Sequence, residues 1–416
     1  MFTSGQTLSL TIEKPAAGGR MIARADGRII LVSGAIPGER VLARIERVAK
    51  GVAYADTTTV QEASPDRRTD PADPLCGGCL FSHIAYSRQL DIKRLIIADA
   101  FARIGRVELP GPVHAAPSLE EGYRMRARLH VRGQRIGFFR EGTHDLCDVR
   151  QTRQLLPSAC DALDRLAAAL RSLGVDGVRE LELAENLDAS DRVVYMDSSQ
   201  AGDGPALSRM RMIDGVTGLA SAYGVSGRPY VTDRLQLGDA SVSLQRHVLA
   251  FFQGNRHLLV ALVSHVVGLV PAGGAVIDLY AGVGLFSVSA AVTRGARVTA
   301  VEGDRVAAGD LAVNAAACAG AVVAVHQAVE DFTASARQPA DTVVVDPPRS
   351  GLSREAIDGL LRLRPLRLVY VSCDVATLAR DARRIVDAGY RIDRADAFDL
   401  FPNTPHVETV VLFLRI

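Results

Sequence analysis

The sequence lacks an excess of charge of either sign, a long apolar run and a rich supply of cysteine. Its 48 Lys and Arg nearly cancel its 47 Asp and Glu, so no global positive field attracts nucleic acid or a membrane. No apolar run reaches the ~18 residues that a membrane-spanning helix needs, and the first residues lack the basic start and apolar core of a signal peptide. These absences predict a cytoplasmic protein without a membrane partner. Nothing in the sequence indicates an obligate protein partner.

Cysteine is sparse enough that position matters more than number. Six cysteines in 416 residues cannot form a dense disulfide framework, and in a reducing compartment they are expected to be free, metal-bound or catalytic. Cys76 and Cys79 stand together in CGGC. Cys373 stands at the exit of the apolar run LRLVY, whereas a structural thiol would more naturally lie inside such a run. The sequence therefore singles out Cys373 as a candidate reactive thiol.

The length exceeds the usual limit for one hydrophobic core, and the chain divides into three segments. Residues 1–62 alternate short β-type runs with glycine turns, which predicts a small OB-like β-barrel. Residues 63–240 open with a Pro- and Asp-rich run and predict a central α+β domain. Residues 241–416 alternate strands with helices, which predicts a Rossmann-like, doubly wound α/β sheet with its ligands at the carboxyl ends of the strands.

Two groups of basic residues are candidates for holding a polyanion. Arg124, Arg126 and Arg128 alternate along one predicted strand, so they share a face near Phe139 and Arg140, and this stripe suits an RNA backbone. The predicted barrel carries a second, scattered group: Arg20, Arg24, Arg28, Arg40, Arg44, Arg47 and Lys50. The alternative for both groups is a solvated outer face of a sheet.

A glycine turn in the last segment predicts a cofactor site. DLYAGVG, from Asp278 to Gly284, is followed by Glu302 at the end of the next predicted strand, as in a nucleotide-binding βαβ unit. Asp278 before the glycines would repel a pyrophosphate but suits a cationic ligand. The pattern favours S-adenosylmethionine, whose ammonium and sulfonium are cationic and which carries no phosphate. A dehydrogenase is the alternative.

Three further motifs resemble those of a known family. VVVDPPRSGL (343–352), VYVSCDVATLARD (369–381) and LFPNTPHVETVVLF (400–413) closely resemble the terminal motifs of the bacterial RNA uracil-C5 methyltransferases. FFQGN (251–255) resembles that family's cofactor-lid motif, and the predicted barrel resembles its TRAM domain. The resemblance covers the whole chain. It implies a class I methyltransferase domain that makes 5-methyluridine in transfer or ribosomal RNA.

The resemblance also implies roles for particular residues. Cys373 matches the nucleophile that adds to uracil C6, and Glu408 matches the base that removes the C5 proton. The target base must be extruded into the pocket. The implied cofactor residues are Gln253, Tyr280, Glu302 and Asp346, with Leu285 where some members place asparagine. The alternatives are a methyltransferase for a non-RNA acceptor and a catalytically weak RNA-binding factor.

The chain departs from the family at two places. Many members hold an iron-sulfur cluster on four cysteines; Cys76 and Cys79 match two of them, but Asp70 and Thr152 stand at the other two positions. A metal-free pair of thiols, a cluster rearranged onto Cys147 or Cys160 and a zinc site all remain open. The second departure is Asp374, where the family usually has asparagine; its charge is expected to raise the pKa of the Cys373 thiol.

Overall fold

The computed structural model describes residues 2–49, 51–70, 72–73, 75–133, 135–208, 210–336 and 340–416. Lys50, of the barrel's basic group, lies outside the described residues. Within these ranges, no helix has the length and apolar character needed to cross a membrane. The described residues form a barrel, a central sheet and a large parallel sheet, which confirms the predicted fold class.

The first 62 residues form a closed barrel of five strands in the order β1-β2-β3-β5-β4, with β4 pairing back onto β1. Alternate side chains such as Leu10, Ile12 and Ile30 fill its interior. On the outside, Arg24 pairs with Glu13 and Arg40 with Glu62. The strands are β1 (Thr7–Pro15), β2 (Met21–Ala25), β3 (Arg28–Ser33), β4 (Arg40–Ala49) and β5 (Val52–Glu62).

One helix and one short strand follow the CGGC loop. α1 (Tyr86–Ala100) runs into a π-helical turn (Phe101–Gly105) and is followed by β6 (His114–Ala116). Ile92 and Ile96 of α1 pack into the barrel core, whereas Leu90 and Ile97 pack into the core of the large parallel sheet. α1 therefore lies between the barrel and that sheet.

The central sheet has seven strands in the order β13-β12-β11-β10-β7-β8-β9, and α3 covers one face with Leu163, Leu166 and Leu170. The strands are β7 (Arg126–Arg132), β8 (Arg135–Phe139), β9 (Leu146–Asp148), β10 (Val178–Glu185), β11 (Arg192–Ser198), β12 (Gly218–Ser221) and β13 (Gly224–Gly227). The helices are α2 (Val149–Thr152), α3 (Pro157–Ser172), a 3-10 turn (Ala201–Asp203) and α4 (Gly204–Leu207).

The last part of the chain forms a hairpin and then an eight-stranded sheet. The hairpin consists of β14 (Tyr230–Leu237) and β15 (Ala240–His247). The strands of the sheet are β16 (Ala275–Leu279), β17 (Arg297–Glu302), β18 (Val322–His326), β19 (Thr342–Val345), β20 (Arg367–Ser372), β21 (Tyr390–Phe398) and β22 (Glu408–Arg415), with β6 added at one edge. The helices are α5 (Leu259–Gly268), α6 (Leu285–Arg294), α7 (Arg305–Ala316), α8 (Val329–Ser335), α9 (Arg354–Leu363) and α10 (Val375–Asp387).

The strand order of this sheet, β18-β17-β16-β19-β20-β22-β21-β6, reverses between β16 and β19. Such a reversal opens a crevice at the carboxyl ends of the strands, where doubly wound sheets bind their ligands. Two separate apolar cores cover the two faces, one built with α5 and α6 and the other with α1, α9 and α10. The fold therefore fixes the site at the carboxyl edge of β16, β17, β19 and β20.

Two parts of the range 63–240 pair outside the central sheet. β6 pairs with β21 of the large sheet, and Ala115 of β6 lies in the core of that sheet. The hairpin β14–β15 crosses residue 240, and its two strands pair along their whole length. The predicted domain bounds at residues 63 and 241 stay a prediction.

Candidate active site

The carboxyl edge of the large sheet collects the predicted catalytic and cofactor residues. β16, β17, β19 and β20 run parallel, and Tyr280, Asp346 and Cys373 come directly after β16, β19 and β20, while Glu302 ends β17. β22 is antiparallel to β20, so its first residue, Glu408, lies at the same edge. Sequence positions spread over more than a quarter of the chain therefore meet in one place.

A pocket with about 360 Å³ of open space lies at this edge. Gln253, Tyr280, Leu285 and Asp346 line it, and Gln253 Nε2 donates a hydrogen bond to Asp346 Oδ2 over 3.1 Å. Glu302 joins the pocket through its loop, because Glu302 Oε2 accepts a hydrogen bond of 2.7 Å from the backbone N–H of Gly282. The structure thus brings all five predicted cofactor residues together, with Leu285 as an apolar wall.

Two buried carboxyl groups lie near the glycine turn: Asp346 lines the pocket, and Asp278 is close enough for its charge to act on Asp346. Burial raises the pKa of Asp278 to about 7, despite a 2.5 Å hydrogen bond donated by Ser287 Oγ to Asp278 Oδ2. Burial and the charge of Asp278 raise the pKa of Asp346 to about 7 as well. Asp278 Oδ1 has no hydrogen-bond partner among the described groups. These carboxyl oxygens fit the cationic S-adenosylmethionine and would disfavour a pyrophosphate.

Cys373 and Glu408 occupy the next part of the same edge. Burial and the charge of Glu408 raise the pKa of the Cys373 thiol to about 12. Glu408 is 2% exposed, and burial, reinforced by the charge of Asp346, raises its pKa well above the usual carboxylate range. Its Oε1 has no hydrogen-bond partner in the part of the chain that the structure describes. Burial therefore favours the neutral forms of both the acid and the thiol.

Arg349 is the functional residue that the sequence interpretation missed. It lies in the quoted DPPRSG motif, and its positive charge opposes the rise in the pKa of both Cys373 and Glu408. A cation close to a thiol favours the thiolate that a nucleophile requires. The available signal was a basic residue three positions after Asp346, in a loop at the carboxyl end of a strand.

Asp374 has a structural role that the sequence interpretation did not include. It is the N-cap of α10, and its Oδ1 accepts a hydrogen bond of 2.8 Å from the backbone N–H of Thr377. A carboxylate at a helix N-terminus is stabilised by the unpaired N–H groups and the helix dipole. Its effect on the pKa of Cys373 stays a prediction.

Arg126 and Arg128 lie on one face of β7, whereas Arg124 precedes the strand in an isolated bridge to Asn255, and most of the charge of this group is balanced. Glu182 of β10 is 2.7 Å from Arg128 and 3.3 Å from Arg126. Arg140 pairs with Asp73 over 2.5 Å, and Phe139 stacks on His130 with ring centres 3.5 Å apart. Among the described residues, Arg124 alone of these four arginines has no carboxylate within 4.0 Å. Of the four arginines, Arg124 is therefore the one whose charge no carboxylate balances within this distance.

Cys76 and Cys79 lie with Cys147 in one small buried cluster. Cys76 is bonded to Cys147, and burial raises the pKa of the free Cys79 thiol to about 12. Asp70 forms an ion pair with Arg153. A Cβ on Gly78 would lie 1.9 Å from Gln154, whose side chain fills the space beside CGGC.

Thr152, at the position of the family's fourth cysteine, and Cys160, a candidate for a rearranged site, both make other contacts. Thr152 Oγ1 donates to the Val149 carbonyl over 2.7 Å, and Cys160 is packed in the α3 core. Across the described ranges, no three His, Cys, Asp or Glu residues come together as a metal site would need. In this structure the Cys76–Cys147 bond, the Asp70–Arg153 ion pair and the Gln154 side chain surround CGGC, and the iron-sulfur and zinc interpretations of Cys76 and Cys79 stay predictions.

Comparison with known proteins identifies the family of this chain. A family model described as tRNA (Uracil-5-)-methyltransferase matches residues 335–416, and a TRAM domain model matches residues 2–58. The chain is 36% identical over 434 residues to 23S rRNA (uracil(1939)-C(5))-methyltransferase RlmD of Halomonas elongata, covering 97% of this chain and 88% of that protein. It is 33% identical to the protein of the same name from Pseudomonas putida, covering 98% and 94%.

A solved structure gives the same result over the whole fold. The Pyrococcus abyssi tRNA (uracil-54, C5)-methyltransferase in complex with S-adenosyl-L-homocysteine superposes with a TM-score of 0.76 at 25% identity, covering 97% of this chain and 99% of that one. The barrel, the doubly wound sheet and the edge that holds Cys373 and Glu408 thus belong to one shared architecture. The chain is a member of the RNA uracil-C5 methyltransferase family, whose methyl donor is S-adenosylmethionine.

Proposed function

We propose that this protein methylates C5 of a uridine in RNA, with Cys373 as the nucleophile and Glu408 as the base. The observation that carries the proposal is the register of β20 and β22. Ser372 pairs with Thr409, so the next residues toward the edge, Cys373 and Glu408, stand across from each other beside the cofactor pocket. One group can then act on C6 of a bound uracil and the other on C5.

The two side chains divide the reaction between them. The Cys373 thiolate adds to C6, which places an electron pair at C5 for attack on the methyl group. S-adenosylmethionine supplies that methyl from its sulfonium and leaves as the thioether. Glu408 then takes the proton from C5, the C5–C6 double bond re-forms, and the Cys373 thiolate is expelled. Every bond made to the enzyme is broken again at the end of the cycle.

The protonation states in the free protein predict that Cys373 and Glu408 are unreactive before the cofactor binds. The pKa of Cys373 is raised to about 12, so its thiol is neutral at neutral pH, and burial raises the pKa of Glu408 well above the usual carboxylate range, which favours its neutral form. A cationic ligand beside Asp346 favours the charged form of each nearby acid. Arg349 acts in the same direction. Cofactor binding therefore promotes both the nucleophile and the base.

Large-subunit ribosomal RNA is the substrate that we favour. The relatives at 33–36% identity carry that substrate in their names, whereas the transfer RNA enzyme of known structure is 25% identical. A uridine in folded RNA must be extruded to reach Cys373. The barrel and the face of β7 with Arg124, Arg126 and Arg128 would hold the flanking strand, with Phe139 and Arg140 at its far end. The same proposal places the protein in the cytoplasm without an obligate protein partner.

The test is mass spectrometry of nucleosides after incubation with deuterated-methyl S-adenosylmethionine. Unmodified 23S ribosomal RNA and transfer RNA are offered separately to the protein, to Cys373→Ala, and to Cys318→Ala as a matched control at another free, half-buried cysteine. The proposal requires labelled 5-methyluridine from the protein and from Cys318→Ala, and none from Cys373→Ala. Label in neither RNA, from a protein that binds the cofactor, would reject it.

A further inference from the structure

We infer that Lys93, on α1, is a positioning residue for Glu408, acting through the loop of residues 399–407 that precedes it. We call this segment the base loop. The inference rests on the proposed function, because it takes Glu408 to be the base. Lys93 touches neither the pocket nor the uracil position, so its effect on the reaction has to pass through the base loop.

Glu408 has few anchors of its own. Its side chain is buried, and its Oε1 has no hydrogen-bond partner in the described part of the structure. Its backbone is held in β22 opposite Phe398, the last residue of β21. The base loop closes the gap between these two residues. The direction of the Glu408 carboxylate therefore depends on how this loop is fixed.

Lys93 fixes the beginning of the base loop. Its Nζ lies 2.5 Å from Asp399 Oδ1 and donates a second hydrogen bond of 3.1 Å to the carbonyl of Phe401. Both side chains of the ion pair are fully buried. The backbone N–H of Asp399 also donates to the Ala116 carbonyl of β6. One buried ammonium thus joins α1 to two points of the base loop.

Gln89 fixes the middle of the base loop from the same face of α1, one helical turn earlier. Its Oε1 accepts from the backbone N–H of Asn403, and its Nε2 donates to Asn403 Oδ1, both over 2.9 Å. Asn403 adopts a positive φ of 63°, a conformation that persists only when the surroundings enforce it. Lys93 and Gln89 together hold the base loop in a single conformation.

The rest of the molecule closes around the same loop. Asn255 of the FFQGN motif donates to the Leu400 carbonyl over 3.0 Å. Pro405 lies against Gly19 of the barrel, where a Cβ would come within 2.7 Å. The barrel, α1 and the cofactor lid therefore all contact the nine residues that lead to Glu408.

A buried ion pair is a poor way to gain stability and a good way to set geometry. Replacing such a pair with apolar side chains of similar size is often neutral or stabilising, whereas removing one partner leaves a costly uncompensated charge. The effect of replacing both partners can therefore distinguish a positioning role of Lys93 from a purely stabilising one. If Lys93 only stabilised the fold, an apolar replacement of both partners would preserve turnover.

The experiment compares Lys93→Met, the double variant Lys93→Met/Asp399→Leu, and Gln89→Leu with the unaltered protein. Lys14→Met is the control at a partly exposed ion pair: Lys14 pairs with Asp99 of α1 over 2.8 Å, and their side chains are 31% and 42% exposed. Melting temperature, cofactor affinity, 5-methyluridine release and the covalent protein–RNA complex on a denaturing gel are measured for each.

The double variant is expected to regain the melting temperature lost in Lys93→Met, while its release of 5-methyluridine stays at least tenfold slow. Its methylated covalent complex should accumulate, because Cys373 still attacks and only proton removal is impaired. Gln89→Leu should show the same accumulation, and Lys14→Met should behave like the unaltered protein. A folded double variant with unaltered turnover, or one that loses complex and product in proportion, would overturn the inference. No 5-methyluridine from the unaltered protein would instead overturn the proposed function.

Discussion

The negative charge of Asp346 raises the pKa of Glu408. Asp346 also accepts a hydrogen bond from Gln253 in the cofactor pocket and is itself influenced by the charge of Asp278. The cofactor site and the catalytic base are therefore one electrostatic unit. A ligand that changes the charge on one side changes the proton affinity of the other.

The first prediction concerns the pH dependence of cofactor binding. The pKa values of Asp278 and Asp346 are raised to about 7, so both are largely protonated below that pH and ionised above it. A sulfonium favours the ionised forms, so S-adenosylmethionine affinity should rise between pH 6 and pH 8, by at most about tenfold per pH unit for each proton released. Calorimetry in buffers of different ionisation enthalpy measures both the affinity and the protons.

S-adenosylhomocysteine is the matched control for this prediction, because its sulfur is neutral. Its affinity should depend less steeply on pH than that of S-adenosylmethionine. Equal slopes for the two ligands would show that the carboxyl pair does not sense the sulfonium.

The second prediction separates the two catalytic side chains. Glu408→Gln should keep the addition of Cys373 and lose proton removal, so a covalent complex with methylated RNA accumulates and product release falls by about 10²–10⁴-fold. Cys373→Ala should form no complex. Both are read on a denaturing gel with labelled RNA. Glu355→Gln, at an exposed position of α9, is the control and should turn over normally.

The third prediction concerns Arg349. Its charge lowers the pKa of Cys373 against the effect of burial, so Arg349→Met should raise that pKa further. Because the thiolate and the ionised Glu408 are the active forms, the rate increases with pH, and the variant should shift this rising limb to higher pH. Arg349→Lys should restore part of the shift. Single-turnover rates across pH decide the point, and an unchanged limb would contradict it.

The fourth prediction is that the protein contains no iron-sulfur cluster. Gln154 and the Asp70–Arg153 pair occupy the space beside CGGC. Protein purified without oxygen should therefore contain neither stoichiometric iron nor acid-labile sulfide, and should lack visible absorbance. Asp70→Cys/Thr152→Cys restores the two missing cysteines and serves as the comparison. Iron in the unaltered protein would refute the prediction.

The fifth prediction ranks the arginines of β7. Arg124 has no carboxylate partner among the described residues, whereas Arg128 is bound to Glu182 over 2.7 Å. Arg124→Ala should therefore weaken RNA binding more than Arg128→Ala. The dependence of log affinity on log salt should fall by about one for the loss of a phosphate contact. Titration with labelled RNA at several salt concentrations measures both effects.

The residues of the candidate site could be proposed from the sequence more readily than the domain boundaries. Cys373, Glu408 and Asp346 each stand at a strand end inside a recognisable motif, and parallel strands bring their carboxyl ends to one edge. β6 could not be predicted in that sheet, because three residues carry no periodic signal and its partner β21 is distant in the chain.

The neutralisation of the arginines by nearby acids was the other feature that could not be predicted from the sequence. The acids that neutralise Arg126 and Arg128 come from β10, which joins β7 only through sheet pairing. The N-cap role of Asp374 likewise depends on α10 beginning at the next residue. Both are tertiary relationships, and a residue's neighbours along the chain do not report them.

The edge position of β6 has a consequence for biosynthesis. α1 and β6 are synthesised well before α10, yet Leu90 and Ile97 lie in a core that also includes Leu378 of α10 and Phe413 of β22. Until α10 and β22 have been made, this apolar face of α1 lacks part of its core. A pause before residue 408 would therefore leave a partly buried, aggregation-prone intermediate for chaperones to protect.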